Sequence, residues 1–586
     1  MFKLFKNLTK KDVITILISV VLIVFQVWLD LKLPDYMSEI TRLVQTEGST
    51  INDILVQGGY MLACAGGSLI AMIIVGYLTS SVSANFSRTL GKKVFEKVQG
   101  FSMEEIKLFS TSSLITRTTN DITNVQMLIS MGTQLIIKAP ITAVWAVFKI
   151  LNKSWTWSML TGLAVLILLV TIAVLVLTVL PKFKIVQKLI DNINALTREN
   201  LTGIRVVRAF NAEKYQEDKF EVGNHKLTST QLFNQRMMSI MPPIMYLIMN
   251  LLTLGIYFLG ASLISDAGMA SKLTLFSDMV VFSSYAMQVI MSFLMLAMIF
   301  IMYPRASVSA DRINEVLETE TKIKDGKFSG KTKKEGEVEF KNVSFMYPDS
   351  QEYVLKDISF TAKKGEVVAF IGSTGSGKST LINLVPRFYD ATRGEVLVDG
   401  INVKDYKLET LHNKLGYVPQ RAVMFGGSVN YNVAYGENGK GKKSEKKIQE
   451  AVHVAQAEDF VLKMPETYNS YIASGGTNVS GGQKQRLAIA RAIARDPEIY
   501  IFDDSFSALD YKTDFVLRSE LKKYTKNATS LIVAQRIGTI INADKIIVLD
   551  KGECVGMGTH QELMKTCKVY QEIAYSQLSK EELENA

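Results

Sequence analysis

Six long runs of apolar residues occupy the first half of the chain. They lie at residues 13–29, 55–78, 127–151, 159–180, 242–263 and 276–302. A helix of about 20 apolar residues crosses a bilayer core of roughly 30 Å, and a helix satisfies its own backbone hydrogen bonds in lipid. The pattern therefore predicts an all-α transmembrane domain with six spanning helices over residues 1–318.

The pattern changes after residue 318. Residues 319–337 carry charge and glycine without a sustained apolar period, which is typical of a linker. Short β-rich runs, such as residues 338–345 and 366–371, then alternate with helical stretches. That alternation predicts an α/β domain with a substantial parallel sheet over residues 338–586.

The charge of the chain is distributed in a way that fits a membrane protein. The formal net charge is +10, and the connection over residues 182–236 is rich in Lys and Arg. The connections around residues 32–50, 152–156 and 265–272 are shorter and poorer in these residues. By the positive-inside rule, both termini and the long connections are predicted to be cytoplasmic in a multi-pass protein of the cell membrane. This explanation of the charge requires no nucleic acid as a partner.

The N-terminal segment is predicted to be a retained span. Lysines precede the first apolar run, and Trp28, Asp30 and Lys32 follow it where a secretory signal would show small residues and a cleavage site. The three cysteines of the chain have spacings that match neither a disulfide framework nor a metal site.

A glycine-rich loop carries the strongest chemical signal. The strand-like run 366–371 leads into GSTGSGKST and then into an apolar helix start, which is the context that the GxxxxGK[ST] motif requires. Glycines let the backbone approach phosphates, and a helix N-terminus favours negative charge. Lys378 is predicted to reach the β- and γ-phosphates of ATP, and Ser379 to ligate Mg²⁺. The predicted ATP-binding loop comprises Gly372, Ser373, Thr374, Gly375, Ser376, Gly377, Lys378, Ser379 and Thr380.

A second acidic element supports an ATP site. The apolar run 499–502 has the pattern of a buried strand and ends in Asp503. A carboxylate in this position is suited to holding Mg²⁺ through water. The two elements together predict a P-loop nucleotide-binding domain that uses ATP and Mg²⁺, following the six-helix transmembrane domain.

With these motifs, the chain resembles a half-transporter of the ATP-binding cassette superfamily, of the exporter type, over almost its whole length. The sequence VSGGQ is similar to the LSGGQ signature of the family, with valine in place of leucine. In this family the signature binds the γ-phosphate held by the other subunit. The resemblance implies that role for Val479, Ser480, Gly481, Gly482 and Gln483.

The resemblance assigns further roles to single residues. It implies that Tyr347 stacks on adenine and that Gln420 senses Mg²⁺ and contacts the membrane half. It also implies that Asp510 belongs to a loop at the dimer interface and that residues 199–210 form a cytoplasmic coupling region.

The chain departs from the family at the two positions closest to the chemistry. Members competent in hydrolysis carry a glutamate after the Mg²⁺-associated aspartate, and here the residue is Asp504. The shorter side chain sets the carboxylate back by about 1.5 Å. Gln535 stands where active members have histidine, and glutamine can neither titrate nor carry charge. The loop before the signature also departs, because residues 473–476 lack the glutamate of many exporters.

These departures resemble heterodimeric exporters that have one degenerate and one competent ATP site. The catalytic positions of this chain, Asp504 and Gln535, are then expected to be weak. The expected partner is a second half-transporter with the catalytic glutamate and the switch histidine. This chain's signature would complete the partner's competent site.

The last apolar run suggests what is transported. Its methionines lie on one helical face and comprise Met287, Met291, Met295, Met298 and Met302. Flexible thioethers suit a cavity that repacks around dissimilar amphipathic ligands, although methionines that fill helix contacts or face lipid give the same pattern. Asp278, Asn250 and Gln288 are polar residues in or near the last two runs.

The sequence is compatible with three functions. The first is multidrug export of amphipathic molecules from the bilayer, the second is flipping of lipids or lipid-linked molecules, and the third is an ATP-binding regulatory subunit that does not pump.

Overall fold

The computed structural model describes residues 2–46, 48–151, 155–266 and 268–578. Part of the short connection predicted at residues 152–156, and the last residues of the domain predicted to end at 586, lie outside this description. The chain forms two compact units. The first holds the residues up to Gln99 together with Thr111–Thr319, and the second holds Gly100–Ser110 together with the chain from Glu320 onward.

The first unit is all-α. Its helices are α1 (Phe2–Phe5), α2 (Lys10–Gln45), α3 (Ile51–Gln99), α5 (Thr111–Thr118), α6 (Asn120–Leu151), α7 (Trp155–Thr202), α8 (Ile204–Ala209), α9 (Glu213–Asp266) and α10 (Met269–Glu318), while α4 (Met103–Phe109) belongs to the second unit. Among the described residues, six helices are long and apolar enough to cross a membrane. The prediction of six spanning helices is confirmed.

The spanning helices pack around a core of large side chains. Trp157, Phe282, Tyr285 and Ile290 are all almost completely buried in this core. Other apolar side chains of the same helices remain exposed, for example Leu62 at 75% and Leu177 at 75%. Exposed apolar side chains along helices of spanning length are what a lipid environment requires, because lipid is as apolar as the side chains themselves.

The second unit is α/β. Its strands are β1 (Val338–Phe345), β2 (Leu355–Ala362), β3 (Val367–Gly372), β4 (Arg393–Val398), β5 (Ile401–Asn402), β6 (Leu415–Val418), β7 (Gly427–Ser428), β8 (Tyr471–Ile472), β9 (Ile499–Asp503), β10 (Thr529–Val533), β11 (Lys545–Asp550) and β12 (Glu553–Gly558). The six-stranded sheet has the order β12-β11-β3-β10-β9-β6 and is parallel except for β12. A four-stranded antiparallel sheet has the order β2-β1-β4-β5.

The remaining α-helices of the second unit pack against its strands or against one another. They are α11 (Lys378–Asn383), α12 (Leu408–Asn413), α13 (Val429–Val433), α14 (Glu445–Val454), α15 (Glu458–Val461), α16 (Gly481–Arg495), α17 (Tyr511–Tyr524), α18 (Ile537–Ile540), α19 (His560–Thr566) and α20 (Lys568–Gln577). Side chains from β9 alternate between two hydrophobic cores, with Tyr500 and Phe502 in one and Ile499 and Ile501 in the other. A parallel sheet buried on both faces has near-continuous apolar strands, and this explains the apolar run before Asp503.

The predicted linker at residues 319–337 contains no α-helix or β-strand. It runs along the second unit, where the Phe328 amide donates to the Asp405 carbonyl over 2.8 Å and the Gly326 amide donates to the Tyr406 carbonyl over 2.9 Å. The ring of Phe328 packs edge-on against Tyr406. This stretch is therefore held to the α/β unit by its backbone.

Candidate nucleotide-binding site

The glycine-rich loop joins the end of β3 to α11. Gly372 and Gly377 have φ angles of 155° and 96°, which L residues rarely adopt. A Cβ atom on Gly372 would lie 2.0 Å from the Leu549 carbonyl oxygen, and one on Gly377 would lie 2.7 Å from Leu355 Cδ2. Both glycines are therefore required by the backbone path and by close packing.

Lys378 lies folded over this loop. Its ammonium donates to the carbonyl oxygens of Gly372 and Ser373, each over 2.8 Å. Burial lowers the pKa of Lys378, while the neighbouring carboxylates of Asp504 and Asp503 oppose that shift. An ammonium held by neutral carbonyls is well placed to exchange them for phosphate oxygens, which bind it more strongly.

The loop and the end of β9 meet at one edge of the sheet. The Ser379 hydroxyl donates to Asp503 Oδ1 over 2.7 Å. Asp503 is 5% exposed, and burial raises the pKa of its carboxyl, with Asp504 adding to that shift. A hydroxyl and a carboxylate oxygen side by side are hard donors of the kind Mg²⁺ prefers. These two residues fit the predicted metal and would hold it, and a bound Mg²⁺ would supply positive charge that stabilises the phosphates.

Asp504 lies directly after β9 in a left-handed backbone conformation with φ of 48°. Its side-chain carboxylate accepts a hydrogen bond from Gln535 Nε2 over 2.6 Å and a longer one from Gln420 Nε2 over 3.4 Å. Burial raises the pKa of the Asp504 carboxyl, and these amide hydrogen bonds lower it. The two predicted weak positions, Asp504 and Gln535, are thus in direct contact, and Gln420 joins them.

Tyr347 lies beside the phosphate loop. Its hydroxyl is 3.0 Å from the Thr380 hydroxyl, and its ring meets the rings of Phe345 and Tyr389 at right angles. The ammonium of Lys107, on α4, lies 4.6 Å from the centre of the Tyr347 ring. Lys107 could not be identified from local sequence pattern, because only the folded chain places residues 100–110 in the α/β unit.

The signature residues begin α16. The Ser480 hydroxyl accepts from the Gln483 amide over 3.3 Å, and the Gln483 side chain accepts from the Ser480 amide over 2.9 Å. This reciprocal cap fixes the start of the helix. Val479 is buried beneath it, whereas Ser480 and Gly481 are exposed. The exposed start of this helix of 15 residues can receive an anion.

The remaining predicted site residues are placed as follows. Asp510 begins α17 and accepts from the Thr513 amide over 3.0 Å, which is an ordinary helix cap. Met291 and Met298 are 48% and 59% exposed, and the other methionines of the predicted face are half-buried. The methionine face of α10 is therefore not packed in the interior of the transmembrane unit.

Comparison with known proteins agrees with the class that this fold and site define, an ATP-driven membrane transporter. Residues 355–507 match the ABC transporter family, and residues 16–293 match the ABC transporter transmembrane region. The chain is 39% identical to an uncharacterized ABC transporter ATP-binding protein of Mycobacterium tuberculosis, over 93% of each chain. The chain therefore belongs to the ABC transporter family, as a multi-pass membrane protein with an ATP-binding domain and the ATPase activity which that domain implies.

Other relatives and a solved structure extend the comparison. An uncharacterized ABC transporter ATP-binding protein of Bacillus subtilis is 34% identical over 91% of each chain. An ATP-dependent lipid A-core flippase of Syntrophus aciditrophicus is 31% identical over 86% of this chain and 82% of that protein. The structure of a bacterial Atm1-family ABC exporter with ATP bound has the same fold, with a TM-score of 0.79 at 24% identity over 96% of this chain and 97% of that one. The expected exporter fold is confirmed.

Proposed function

We propose that this chain is one subunit of a heterodimeric ABC exporter of the multidrug type, which moves amphipathic molecules out of the bilayer. Its phosphate loop holds ATP with little turnover, and its signature completes the competent site of a partner that has the glutamate and the histidine. The protein lies in the cell membrane with both termini in the cytoplasm, as the distribution of Lys and Arg favours.

The single observation that carries the proposal is the state of the Asp504 carboxylate. A general base must reach the proton it abstracts from water within about 2.6–3.2 Å. Here the carboxylate is set back by one C–C bond and its oxygen is already bonded to Gln535 over 2.6 Å. Gln535 cannot take the protonated, charged form that histidine offers. The local geometry supports ATP binding more strongly than hydrolysis.

The remaining groups of the loop retain what nucleotide binding needs. Lys378 can exchange the loop carbonyls for phosphate oxygens, and Ser379 with Asp503 can hold Mg²⁺. The capped and exposed start of α16 retains what a signature needs. The residues that would bind ATP and Mg²⁺ are those that the family carries, whereas Asp504 and Gln535 are altered. We therefore assign ATP binding to this chain's loop and hydrolysis to the partner's loop.

The experiment compares two substitutions of this chain in the assembly that it forms in its own membranes. Ser480→Arg places a bulky cation at the start of α16 and is expected to lower Mg-ATP hydrolysis by about a hundredfold or more, as loss of an anion-stabilising element does. Lys378→Ala damages only this chain's own loop and is expected to leave most of the hydrolysis. Equal losses in the two variants, or vigorous hydrolysis by the purified chain alone, would contradict the proposal.

A lipid or lipid-linked molecule is the second candidate substrate. The observation that favours it is the 31% identity to a protein named as an ATP-dependent lipid A-core flippase. Stimulation of hydrolysis by lipid alone would favour the flippase, and stimulation by dissimilar amphipathic drugs would favour the multidrug exporter. An assembly whose hydrolysis responds to neither would indicate a regulatory subunit that does not pump.

A further inference from the structure

An ion pair joins two of the spanning helices, with its lysine inside one apolar run and its aspartate one residue beyond another. Lys138 is in the middle of the third apolar run, on α6, and its ammonium is 3.2 Å from Asp30 Oδ2 on α2. Ionisable groups inside a bilayer are costly, and an ionisable residue in a span is therefore a candidate for a substrate or ion pathway. Both side chains retain 27% exposure, so the pair is not sealed in the core, and the Ser68 hydroxyl on α3 donates to the other oxygen of Asp30, Oδ1.

The surroundings of this pair have hydrogen-bonding capacity that the described residues do not use. Gln288 on α10 donates through Nε2 to the Asp30 carbonyl over 3.5 Å, while its Oε1 is buried and has no hydrogen-bond partner among the described residues. Thr142 Oγ1, one turn along α6 from Lys138, is in the same condition. Buried polar atoms are nearly always bonded, so these two atoms call for an explanation.

A second ion pair of the same helices provides a contrast. The Lys149 ammonium is 2.7 Å from Asp35 Oδ2, and the Tyr285 hydroxyl donates to Asp35 Oδ1 over 2.6 Å. Tyr285 is fully buried and also reaches the Leu31 carbonyl. The second pair is exposed to a similar extent, 34% and 30%, and differs from the first in its neighbour on α10, because the Tyr285 hydroxyl is hydrogen-bonded whereas Gln288 Oε1 has no partner among the described residues.

We propose that Lys138, Asp30 and Gln288 form a binding site for the polar head of the substrate, and that the head joins an anionic group to a primary ammonium. The anionic group of the substrate head pairs with Lys138. Its ammonium pairs with Asp30 and donates a hydrogen bond to Gln288 Oε1. This assignment rests on the part of the proposed function that the drug exporter and the flippase share, which is transport of an amphipathic molecule, and it names the polar head of that molecule.

The position of Gln288 on α10 indicates where an apolar tail lies. Gln288 follows Met287 directly and precedes Met291 by one turn, so it stands at one end of the methionine face. Met291 and Met298 are 48% and 59% exposed. A head held at Gln288 therefore places the tail along flexible thioethers that accept different chain shapes.

The chemistry distinguishes between two common zwitterionic heads. A phosphoethanolamine head carries N–H donors that satisfy Gln288 Oε1 and Asp30. A phosphocholine head has the same charges but no N–H donor, so it leaves Gln288 Oε1 unpaired. Sites built to hydrogen-bond a group discriminate strongly against the analogue that lacks it. The site is therefore expected to prefer the ethanolamine head.

The test measures probe binding to the assembly that the full chain forms in its own membranes, reconstituted in nanodiscs. The probes are palmitoyl lysophosphatidylethanolamine, palmitoyl lysophosphatidylcholine, α-aminopalmitic acid and an uncharged palmitoyl glycoside. The ethanolamine lipid is expected to bind about tenfold or more tightly than the choline lipid. Lys138→Met and Gln288→Leu should remove this preference, and Lys138→Arg should retain part of it. The matched control Lys149→Met should lower the Tm and keep the preference.

The outcomes separate this inference from the proposed function. Equal binding of the two zwitterionic lipids, or a preference that survives Lys138→Met, overturns the head-group site while amphiphile export stands. Failure of every probe, including the uncharged glycoside, overturns both. Binding of α-aminopalmitic acid as tight as that of the ethanolamine lipid supports an ammonium–anion pair of any origin, and weak binding of it supports a phospholipid head.

Discussion

Restoring the two altered residues, Asp504 and Gln535, is predicted to increase ATP hydrolysis by this chain. The variant Asp504→Glu/Gln535→His restores the two side chains that competent family members carry. Lengthening residue 504 moves its carboxylate forward by about 1.5 Å. Misplacement of about 1 Å can cost about a hundredfold in rate, or about 2.7 kcal/mol of barrier. The chain's own signature is nearly intact, so two variant chains facing each other would have complete sites.

The hydrogen bond from Gln535 to Asp504 explains why both residues must be changed. Its amide lies 2.6 Å from the Asp504 carboxylate, and a hydrogen bond to a charged group is worth about 1.5–3 kcal/mol. A lengthened carboxylate that stays bonded to Gln535 is not free to orient water. We therefore expect Asp504→Glu alone to gain less than about tenfold, and the double variant to gain about a hundredfold or more.

The assay is initial Mg-ATP hydrolysis by the full-length chain purified alone in nanodiscs, with ATP binding and Tm measured on the same samples. The control variant Asp504→Asn/Gln535→His carries the same histidine without an ionisable carboxylate, and it should remain inactive. A double variant that binds ATP, keeps its Tm and hydrolyses no faster than the natural chain would refute the reasoning.

Three further predictions concern the same unit. Gly377→Ala places a Cβ 2.7 Å from Leu355 Cδ2 at a φ of 96°, so it should abolish binding of a fluorescent ATP analogue, whereas Gly475→Ala, also at positive φ but with nothing within 4 Å, should preserve it. Burial raises the pKa of Asp503, so its ionised form destabilises the fold above the folded-state pKa, and that cost disappears as the pH falls through it. Asp503→Asn should therefore raise the Tm of the nucleotide-free protein at neutral pH. In calorimetric scans the Tm difference between the variant and the natural chain should narrow as the pH is lowered, and a Tm difference that does not depend on pH would contradict this. Ser480→Ala removes the hydroxyl of the α16 cap and should lower the free energy of unfolding by about 1 kcal/mol in urea, and an unchanged value would show that the cap contributes nothing.

The sequence was most informative where local pattern and chemistry coincide. A continuous apolar run of about 20 residues satisfies its backbone in lipid as a helix, and the six spanning helices follow from that local property. The phosphate loop could be predicted because its glycines meet a local backbone requirement, visible at Gly372 and Gly377. The identities of Asp504 and Gln535 already pointed to an altered site.

Other features depend on residues that are far apart in the chain. The hydrogen bond between Asp504 and Gln535 joins the ends of two neighbouring strands, β9 and β10, and no local pattern contains it. The contact of Lys107 with Tyr347 depends on residues 100–110 joining the α/β unit. The sequence showed neither contact, because side-chain distances depend on how the elements pack.

The ion pair between Lys138 and Asp30 also combines a feature that is visible in the sequence with a contact that is not. Lys138 could have been noticed in the sequence as a cation within an apolar run, but its partner Asp30 lies on another helix. The sequence by itself determined the class of protein, the six spans and the ATP-binding loop, because periodicity and backbone conformation are local properties. Only the tertiary structure decided which charged side chains meet in the membrane and which carboxylate is already hydrogen-bonded, because those contacts arise from packing between distant segments.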